Sequence, residues 1–187
     1  MKRISFVSNN KNKYNEIASR LKRFDILLDF VELELREIQS NLLEEIAKIK
    51  SDYAYEVLKK PLIVEDTGIF IFALNNFPGP YSSYVFKTIG NEGILSLLKN
   101  KSNRDAFFKT IITFNNGKLR EMFSGELKGK ILSEERGAGW GYDPIFVPIN
   151  FSSSYGEITY QNKIDISHRT VATDKFANWF LNLESTY

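Results

Sequence analysis

The sequence predicts an α/β fold built around a mixed β-sheet. Short apolar runs typical of strands alternate with amphipathic helical stretches in the first half, an order that favours parallel strands joined by helices. In the second half two apolar runs flank "NNG", which predicts an antiparallel hairpin, so the sheet should be mixed. With 187 residues one hydrophobic core suffices, and we expect a single domain over 1–187.

The elements of the first half follow from apolar patterning. "RISFV" at 3–7 predicts a buried strand, and the polar "SNNKNK" a loop that leads into a helix. A second strand is predicted over 25–35, and a second helix over 41–58 with Asn41 as its N-cap. Pro61 ends that helix, and "LIVED" forms the next strand.

The second half continues with turns, short helices and the hairpin. After Gly68, an apolar run and the turn-rich "NFPGP" lead to helices predicted near 80–88 and 91–99. "DAFFKTIITF" and "KLREMFSGEL" form the arms of the hairpin. "SEERGAGWGYDP" predicts a glycine-rich loop, and "SHRTVATDKFANWFLNL" a closing helix with Ser167 as its N-cap.

Composition excludes several classes of function. Lys and Arg number 25 against 23 Asp and Glu, which is too balanced to predict nucleic-acid binding. The chain has no cysteine and one histidine, which argues against disulfides, a Cys nucleophile and a zinc site. No apolar segment approaches the ~20 residues that a bilayer requires. We therefore expect a cytoplasmic protein that binds neither nucleic acid nor membrane.

The polar loop after the first strand carries groups suited to phosphate. Backbone N–H groups and the positive end of a helix dipole converge there, and Lys13 adds a point charge. For this stretch alone, an ordinary polar loop with an asparagine N-cap is the commoner interpretation. The loop comprises Ser8, Asn9, Asn10, Lys11, Asn12 and Lys13.

The stretch "VEDTG" places Glu65 and Asp66 after an apolar run and before a predicted turn. A strand end in an α/β sheet is where ligands usually dock, and two carboxylates there could bind Mg²⁺ and orient a water. A turn in which Asp66 bonds its own backbone explains the stretch equally well. If the strand continues this far, the two side chains point to opposite faces.

Lys50 falls inside the apolar face of the helix predicted over 41–58. Such a lysine either snorkels past a short neighbour, which is the commoner outcome, or enters a polar cavity to meet an anion. Glu45 lies at the other border of the same face and could reach the same cavity.

The stretch "GWGYDP" combines glycines with rings. Its glycines, among them Gly141, let the backbone approach a flat ligand, Trp140 and Tyr142 offer rings for stacking, and Asp143 offers an acceptor for a base N–H. An aromatic turn packed on the core is the alternative.

His168 and Arg169 occupy the predicted first turn of the last helix. The N-terminal end of a helix prefers anions, so two basic residues at that end indicate a ligand. A first turn on the surface would also tolerate them.

The order of these motifs resembles that of the non-canonical purine nucleoside triphosphate pyrophosphatases, the inosine/xanthosine triphosphatase family. The matching stretches are "SNNKNK", "VEDTG", "NNFPGPYSSY", "GWGYDPIF" and "SHR", with Lys163 shortly before the last. The resemblance implies two α/β lobes around a long mixed sheet, a central substrate cleft and a homodimer. The implied reaction is hydrolysis of ITP, dITP or XTP to the monophosphate and pyrophosphate with Mg²⁺.

The resemblance also implies roles for the matching residues. Glu45 and Asp66 would bind the metal with support from Glu65, and Asp66 would act as general base. The phosphates would be held by Ser8 to Lys13, Lys50, Thr67 and Lys163, and the base by Trp140, Gly141, Tyr142, Asp143, His168 and Arg169. Asn9 and Trp140 stand where glycine and phenylalanine are usual in that family, and we expect these two departures to alter fine selectivity more than activity.

Three other functions compete with this one. A related house-cleaning pyrophosphatase would act on other modified nucleotides, but "SHR" and "GWGYDP" argue against it. A nucleotide-binding regulator without turnover predicts loss of Asp66 or Glu45, and both are present. An RNA-binding module predicts a basic face, which the near-zero net charge does not support.

Overall fold

The computed structural model describes residues 2–183 and has a mixed α/β fold. Its helices are α1 (Lys11–Leu21), α2 (Leu43–Leu58), α3 (Ser82–Thr88), α4 (Gly90–Leu97), α5 (Tyr160–Ile166) and α6 (His168–Leu183). Its strands are β1 (Lys2–Val7), β2 (Ile26–Val31), β3 (Leu62–Ile71), β4 (Pro78–Gly79), β5 (Asp105–Asn115), β6 (Arg120–Ile131) and β7 (Phe146–Pro148).

The seven strands within these residues form one sheet in the order β2-β1-β3-β5-β6-β7, with β4 paired to β3. β1 pairs in parallel with β2 and β3, whereas β4 and β7 run antiparallel to their neighbours. The predicted α/β class with a mixed sheet is therefore confirmed. No helix within residues 2–183 is both long and apolar enough to cross a bilayer.

Two compact units divide the described residues. The first takes its residues from 1–66, 110–125 and 168–187, and the second comprises 67–109 and 126–167. The single domain and the central cleft stay predictions.

The first unit has apolar clusters on both faces of its strands. Phe6 and Ile63 pack in a cluster with residues of α1 and α6, among them Ile17 and Phe176. Val7, Leu62 and Val64 pack in another cluster with Ala54 of α2. Because successive strand residues point to opposite faces, residue 65 belongs to the α1 and α6 face and residue 66 to the α2 face.

The second unit has one aromatic-rich core. Phe108 packs edge-on against Phe146, with ring centroids 4.7 Å apart, and Tyr155 lies 5.3 Å from Phe146. Ile69 and Ile71 of β3 and Ile94 of α4 join this cluster.

Most of the predicted elements are confirmed, with small shifts in their bounds. The hairpin turns at Asn116 and Gly117, where Gly117 has φ +84° and Asn116 Oδ1 accepts hydrogen bonds from the backbone N–H groups of Lys118 and Leu119. Helix α6 begins at His168, directly after the extended Ser167, as predicted.

The prediction of Asn41 as N-cap is wrong. Helix α2 begins at Leu43, and Leu42 is the N-cap without a side-chain bond. The hydroxyl of Ser40 accepts a hydrogen bond from the backbone N–H of Leu42 instead. Local polar competition of this kind is how serine shifts a helix start.

The predicted turn at "VEDTG" is also wrong, because β3 continues through it to Ile71. Gly68 permits this continuation. A Cβ at Gly68 would lie 2.5 Å from the carbonyl oxygen of Gly79 on β4, so only glycine lets the two backbones approach. Glu65 and Asp66 therefore sit inside a strand, where their backbone is fixed by the sheet.

Gly68→Ala is expected to destabilise the fold by about 1–3 kcal/mol, since the new methyl group overlaps backbone that cannot swing aside. Urea unfolding followed by far-ultraviolet circular dichroism measures this. A denaturation midpoint equal to that of the parent would contradict the close approach of β3 and β4.

Candidate active site

The two adjacent carboxylates of β3 reach different partners. Glu65 lies within ion-pair distance of Lys13 on α1 and Arg169 on α6, whereas Asp66 contacts Lys50 on α2. The expectation that a continuing strand sends the two side chains to opposite faces is confirmed. The faces can therefore have separate roles.

Lys50 lies between two carboxylates. Its Nζ donates to Glu37 Oε1 at 2.6 Å and to Asp66 Oδ1 at 3.3 Å, and the residue is only 7% exposed. Of the two outcomes predicted for this lysine, the structure shows the inward one, in which it meets anions. Glu37 belongs to the segment between β2 and α2, and its side chain is largely exposed.

Burial and charge set the ionisation of this cluster. Burial has the largest effect on Asp66 and raises the pKa of its carboxyl, Lys50 and Lys13 oppose the rise, and Glu65 and Glu37 add to it. Burial by itself would lower the pKa of Lys50, but Asp66 and Glu37 raise it above its ordinary value. The ammonium thus stays charged, while the buried Asp66 is a comparatively basic carboxylate.

Glu45 does not join this cluster. It is exposed on the first turn of α2 and accepts a hydrogen bond from Ser40 Oγ at 2.6 Å. Across residues 2–183 no three Asp, Glu, His or Cys side chains are grouped so as to hold a metal ion by themselves.

A buried charge network lies on the other face of β3. Arg169 is 2% exposed, and its Nε donates to Glu65 Oε1 at 3.0 Å while its Nη1 donates to Glu16. Lys13 Nζ lies 2.5 Å from Glu65 Oε2. Burial by itself would lower the pKa of Arg169, but Glu16 and Glu65 raise it. Two cations thus alternate with two carboxylates in this network.

His168 is buried beside this network. Its Nδ1 lies 2.7 Å from Thr110 Oγ1, and the same hydroxyl lies 3.4 Å from Glu65 Oε1. The "SHR" pair therefore packs inside the first unit rather than on a surface turn.

The polar loop before α1 contains the predicted asparagine cap. Asn10 Oδ1 accepts from the backbone N–H groups of Asn12 and Lys13, and Ser8 Oγ accepts from that of Asn10. Asn9, Lys11 and Asn12 are exposed. The loop is thus held in shape by its own side chains, and its binding of phosphate stays a prediction.

In the second unit, Lys163 joins the "GWGYDP" loop. Its Nζ donates to Asp143 Oδ2 at 2.7 Å and lies 5.0 Å from the centroid of the Trp140 ring. Asp143 Oδ2 also accepts from the backbone N–H of Trp140 at 3.3 Å. Lys163, which the resemblance assigns to phosphate, therefore lies beside Asp143 and Trp140, which it assigns to the base.

Tyr142 is a packing residue in this loop. Its hydroxyl donates to the carbonyl of Ser82 at 2.8 Å, its ring meets Phe86 edge-on, and burial raises the pKa of its phenol. Gly141 has φ +64°, which favours glycine, and its carbonyl accepts from Asn91. Of the rings in the loop, Trp140 is the one left half-buried.

Comparison with known families decides what this chain is. A model of the Ham1 family matches residues 4–179, nearly the whole of it. The chain belongs to the Ham1 family. Solved Ham1 structures agree, at 28% identity and 97% coverage of this chain. The Ham1 protein of Coxiella burnetii has a TM-score of 0.84 over 100% of its own chain, and that of Staphylococcus aureus 0.82 over 99%.

Curated relatives of this Ham1 chain carry one name. A protein of Methanopyrus kandleri named dITP/XTP pyrophosphatase is 47% identical over 182 residues, covering 96% of this chain and 97% of the relative. One of the same name from Saccharolobus solfataricus is 43% identical, covering 95% and 93%. The resemblance drawn from the motifs is thereby confirmed.

Sequence reasoning missed three residues of these clusters, namely Glu37, Glu16 and Thr110. Glu37 lies in an irregular segment without hydrophobic periodicity. The pattern around Glu16 is that of an amphipathic helix, in which a polar residue is expected on the exposed face. Thr110 lies in a strand, where threonine is common. For Glu16, the one available signal was its position one residue before the apolar Ile17, near the buried face of α1.

Proposed function

We propose that this Ham1 chain hydrolyses non-canonical purine nucleoside triphosphates, ITP, dITP and XTP, to the monophosphate and pyrophosphate. Relatives named dITP/XTP pyrophosphatase, at 40–47% identity over nearly the full length, support the substrate class. The observation that carries the chemistry is the buried Asp66, a carboxylate of raised pKa that shares Lys50 with Glu37.

The proposal includes Mg²⁺. Asp66 and Glu37 offer hard oxygen donors, and Mg²⁺ is commonly bound by one or two carboxylates together with substrate phosphates. We favour Glu37 over Glu45 as the second ligand, because Glu37 shares Lys50 with Asp66 whereas Glu45 bonds to Ser40. Bound Mg²⁺ would neutralise phosphate charge and polarise the α-phosphoryl group.

Asp66 acts as the general base. A carboxylate whose pKa is raised by burial accepts a proton more readily at neutral pH than an exposed one. The oxygen of water bonds to the α-phosphorus, the bond from that phosphorus to the bridging oxygen of the β-phosphate breaks, and the water proton passes to Asp66. The strand backbone holds the carboxylate in place for this transfer.

Lysines balance the charge of the substrate. A triphosphate brings about four negative charges, and Lys50 and Lys13 already lie beside the carboxylates of β3. We assign three further residues to phosphate. These are the exposed Lys11 and Asn12, and Thr67, which follows Asp66 in the chain. The contacts of Lys163 with Asp143 and Trp140 support a place beside the base instead.

Base recognition in the second unit is assigned to Trp140 and Asp143, which lie together in the "GWGYDP" loop. The half-buried Trp140 offers a ring face for stacking. Inosine and xanthosine carry a 6-oxo group and an N1–H, whereas adenine carries a 6-amino group and a bare N1. A donor aimed at the 6-oxygen would meet a donor in adenine, at a cost of about 1–3 kcal/mol per buried unpaired group.

The test incubates the protein with ITP, XTP, dITP, ATP, GTP or dTTP, with Mg²⁺ or with a chelator, and follows pyrophosphate. We expect pyrophosphate from the first three substrates, at least tenfold less from the others, and none in chelator. A parallel preparation of Asp66→Asn identifies any contaminating activity. Release of orthophosphate, or equal turnover of ATP and ITP, would refute the proposal.

We also infer that the chain forms a homodimer in the cytoplasm, where nucleoside triphosphates are made. Large exposed side chains on and beside α3, namely Tyr81, Tyr84, Phe86 and Ile89, support an interface there, since aromatic residues are enriched at interfaces. Light scattering of the purified protein gives its mass, and a monomer at micromolar concentration would exclude the dimer.

A further inference from the structure

We propose that Asn91, at the start of α4, is a positioning residue that holds the "GWGYDP" loop in the shape in which Trp140 stacks on a purine base. Its side-chain amide fixes the glycine that links Trp140 to the anchored Tyr142. The inference deepens the proposed function and rests on it for the role of Trp140 in binding the base.

Asn91 is tied to the loop by one hydrogen bond. It lies in the first turn of α4 and is 8% exposed. Its Nδ2 donates to the carbonyl oxygen of Gly141 at 3.2 Å. Rotating the amide by half a turn would put Oδ1 against that carbonyl oxygen, so that two acceptors would face each other. The nitrogen is therefore the end that faces the loop.

The other end of the amide adds nothing to stability. Among residues 2–183, no donor lies within hydrogen-bond distance of the buried Asn91 Oδ1. A buried acceptor without a donor has a desolvation cost that an apolar side chain of similar size avoids. Residues that break a packing rule in this way are expected at functional sites. We therefore assign Asn91 to the loop that it contacts rather than to the core.

Gly141 is the flexible point that this bond controls. Its φ of +64° is a conformation that glycine adopts without strain, and glycine also leaves it more readily than other residues do. Apart from its chain neighbours, no described residue would lie within 4 Å of a Cβ built at this position. Packing around a side chain therefore cannot hold this residue in place, and the bond from Asn91 orients its carbonyl.

The residues on either side of Gly141 are held differently. Tyr142 is anchored, because it is 5% exposed and its hydroxyl donates to the carbonyl of Ser82 at 2.8 Å. Trp140 is half-buried and lies between Gly141 and Gly139, which has φ +151°. If the carbonyl of Gly141 turns, Trp140 moves relative to Tyr142, and its ring no longer has a fixed direction for stacking.

Asn91→Leu tests the assignment, because leucine is of similar size and removes both polar atoms. The hydrogen bond and the unpartnered acceptor disappear together, so the midpoint of urea unfolding should equal or exceed that of the parent. KM for ITP should rise about three- to tenfold while kcat stays within about twofold, since stacking of the base binds substrate and transition state alike. The bond from the backbone N–H of Trp140 to Asp143 remains, which keeps the loss partial.

The loop can also be observed directly, because the chain has two tryptophans, Trp140 and Trp179. Protein labelled with fluorinated tryptophan gives one ¹⁹F resonance for each of them, and Trp140→Phe assigns the two. In Asn91→Leu without nucleotide, the resonance of Trp140 should shift or broaden while that of Trp179 stays in place.

Asn103→Leu is the matched control. Asn103 is exposed in the same unit, and its Oδ1 accepts from the backbone N–H of Asp105 at 2.9 Å. The same substitution at this position should leave KM, kcat and both tryptophan resonances unchanged.

Two results would overturn the proposal. The first is a parental KM together with a parental Trp140 resonance in Asn91→Leu. The second is a fall in kcat as large as the rise in KM, with a lower midpoint of unfolding, which would indicate a merely structural role. Asn91→Ala removes the amide without adding bulk, so parental values in that variant overturn the proposal even if Asn91→Leu fails to fold.

The two levels of inference can fail separately. A protein whose Trp140 resonance responds to Asn91→Leu but which does not hydrolyse ITP would refute the proposed function, while the positioning of the loop by Asn91 would stand. Hydrolysis of ITP without any response to Asn91→Leu would refute the role of Asn91 alone.

Discussion

Replacing Asp66 with asparagine is expected to lower pyrophosphate release from ITP by about 10²- to 10⁴-fold, the usual contribution of a general base. Asparagine keeps the shape of the side chain and its place on β3 but can neither accept the proton of water nor offer a charged oxygen to Mg²⁺. Lys50 keeps Glu37 as a partner, so the fold should survive the change.

The same variant should be at least as stable as the parent at neutral pH in the absence of metal. Because burial raises the pKa of Asp66 in the folded state above that of the unfolded chain, ionising this group favours the unfolded state. The parent therefore loses stability as pH rises from the unfolded pKa of about 4 through the raised folded pKa. Asp66→Asn lacks this titration, so its relative stability should increase over that window and then stay constant.

Urea unfolding at several pH values, in chelator, measures this difference. Asp29→Asn is a matched control, because Asp29 pairs with Arg3 on the surface and is 40% exposed. The control should keep full activity and show little change in stability. Near-parental turnover in Asp66→Asn would remove Asp66 as the base, and a gap that widens in favour of the parent as pH rises would contradict its desolvation.

Lys50 and Glu45 show how far helical geometry predicts the surroundings of a side chain. It places Lys50 inside the apolar face, but it does not separate snorkelling, the commoner outcome, from the buried position that the structure shows. Glu45 lay on the border of that face, where packing against other segments decides exposure. The structure leaves it exposed with Ser40, a partner that periodicity does not reveal.

The length of β3 shows a similar limit. Glycine after two acidic residues is a sound signal for a turn, and the sequence offers no sign that a second backbone approaches Gly68. That approach depends on Gly79, eleven positions later, and therefore on tertiary structure. Strand types and the hairpin were predictable because they follow from local periodicity, whereas the ion pairs of Arg169 join residues more than 100 positions apart.

Those ion pairs lead to the second large effect. Arg169→Met is expected to destabilise the protein by about 3–5 kcal/mol, because removing one partner leaves buried charge uncompensated. Without Arg169, the buried Glu16 would lose its contact with the guanidinium. Glu65 would lose the same contact and keep the one with Lys13. Arg169→Lys should recover little of the loss, since a single ammonium does not reproduce a planar fork that reaches two carboxylates.

Urea unfolding measures the loss, and Arg20→Met provides the matched control. Arg20 pairs with Asp174 at 2.6 Å, but that pair is partly exposed, so its loss should cost no more than about 1 kcal/mol. Adding Glu16→Gln to Arg169→Met removes one stranded charge and should restore part of the stability, because the penalty comes from the unpaired carboxylate rather than from lost volume. If the double variant is less stable than Arg169→Met alone, the buried charges are not what makes Arg169 necessary.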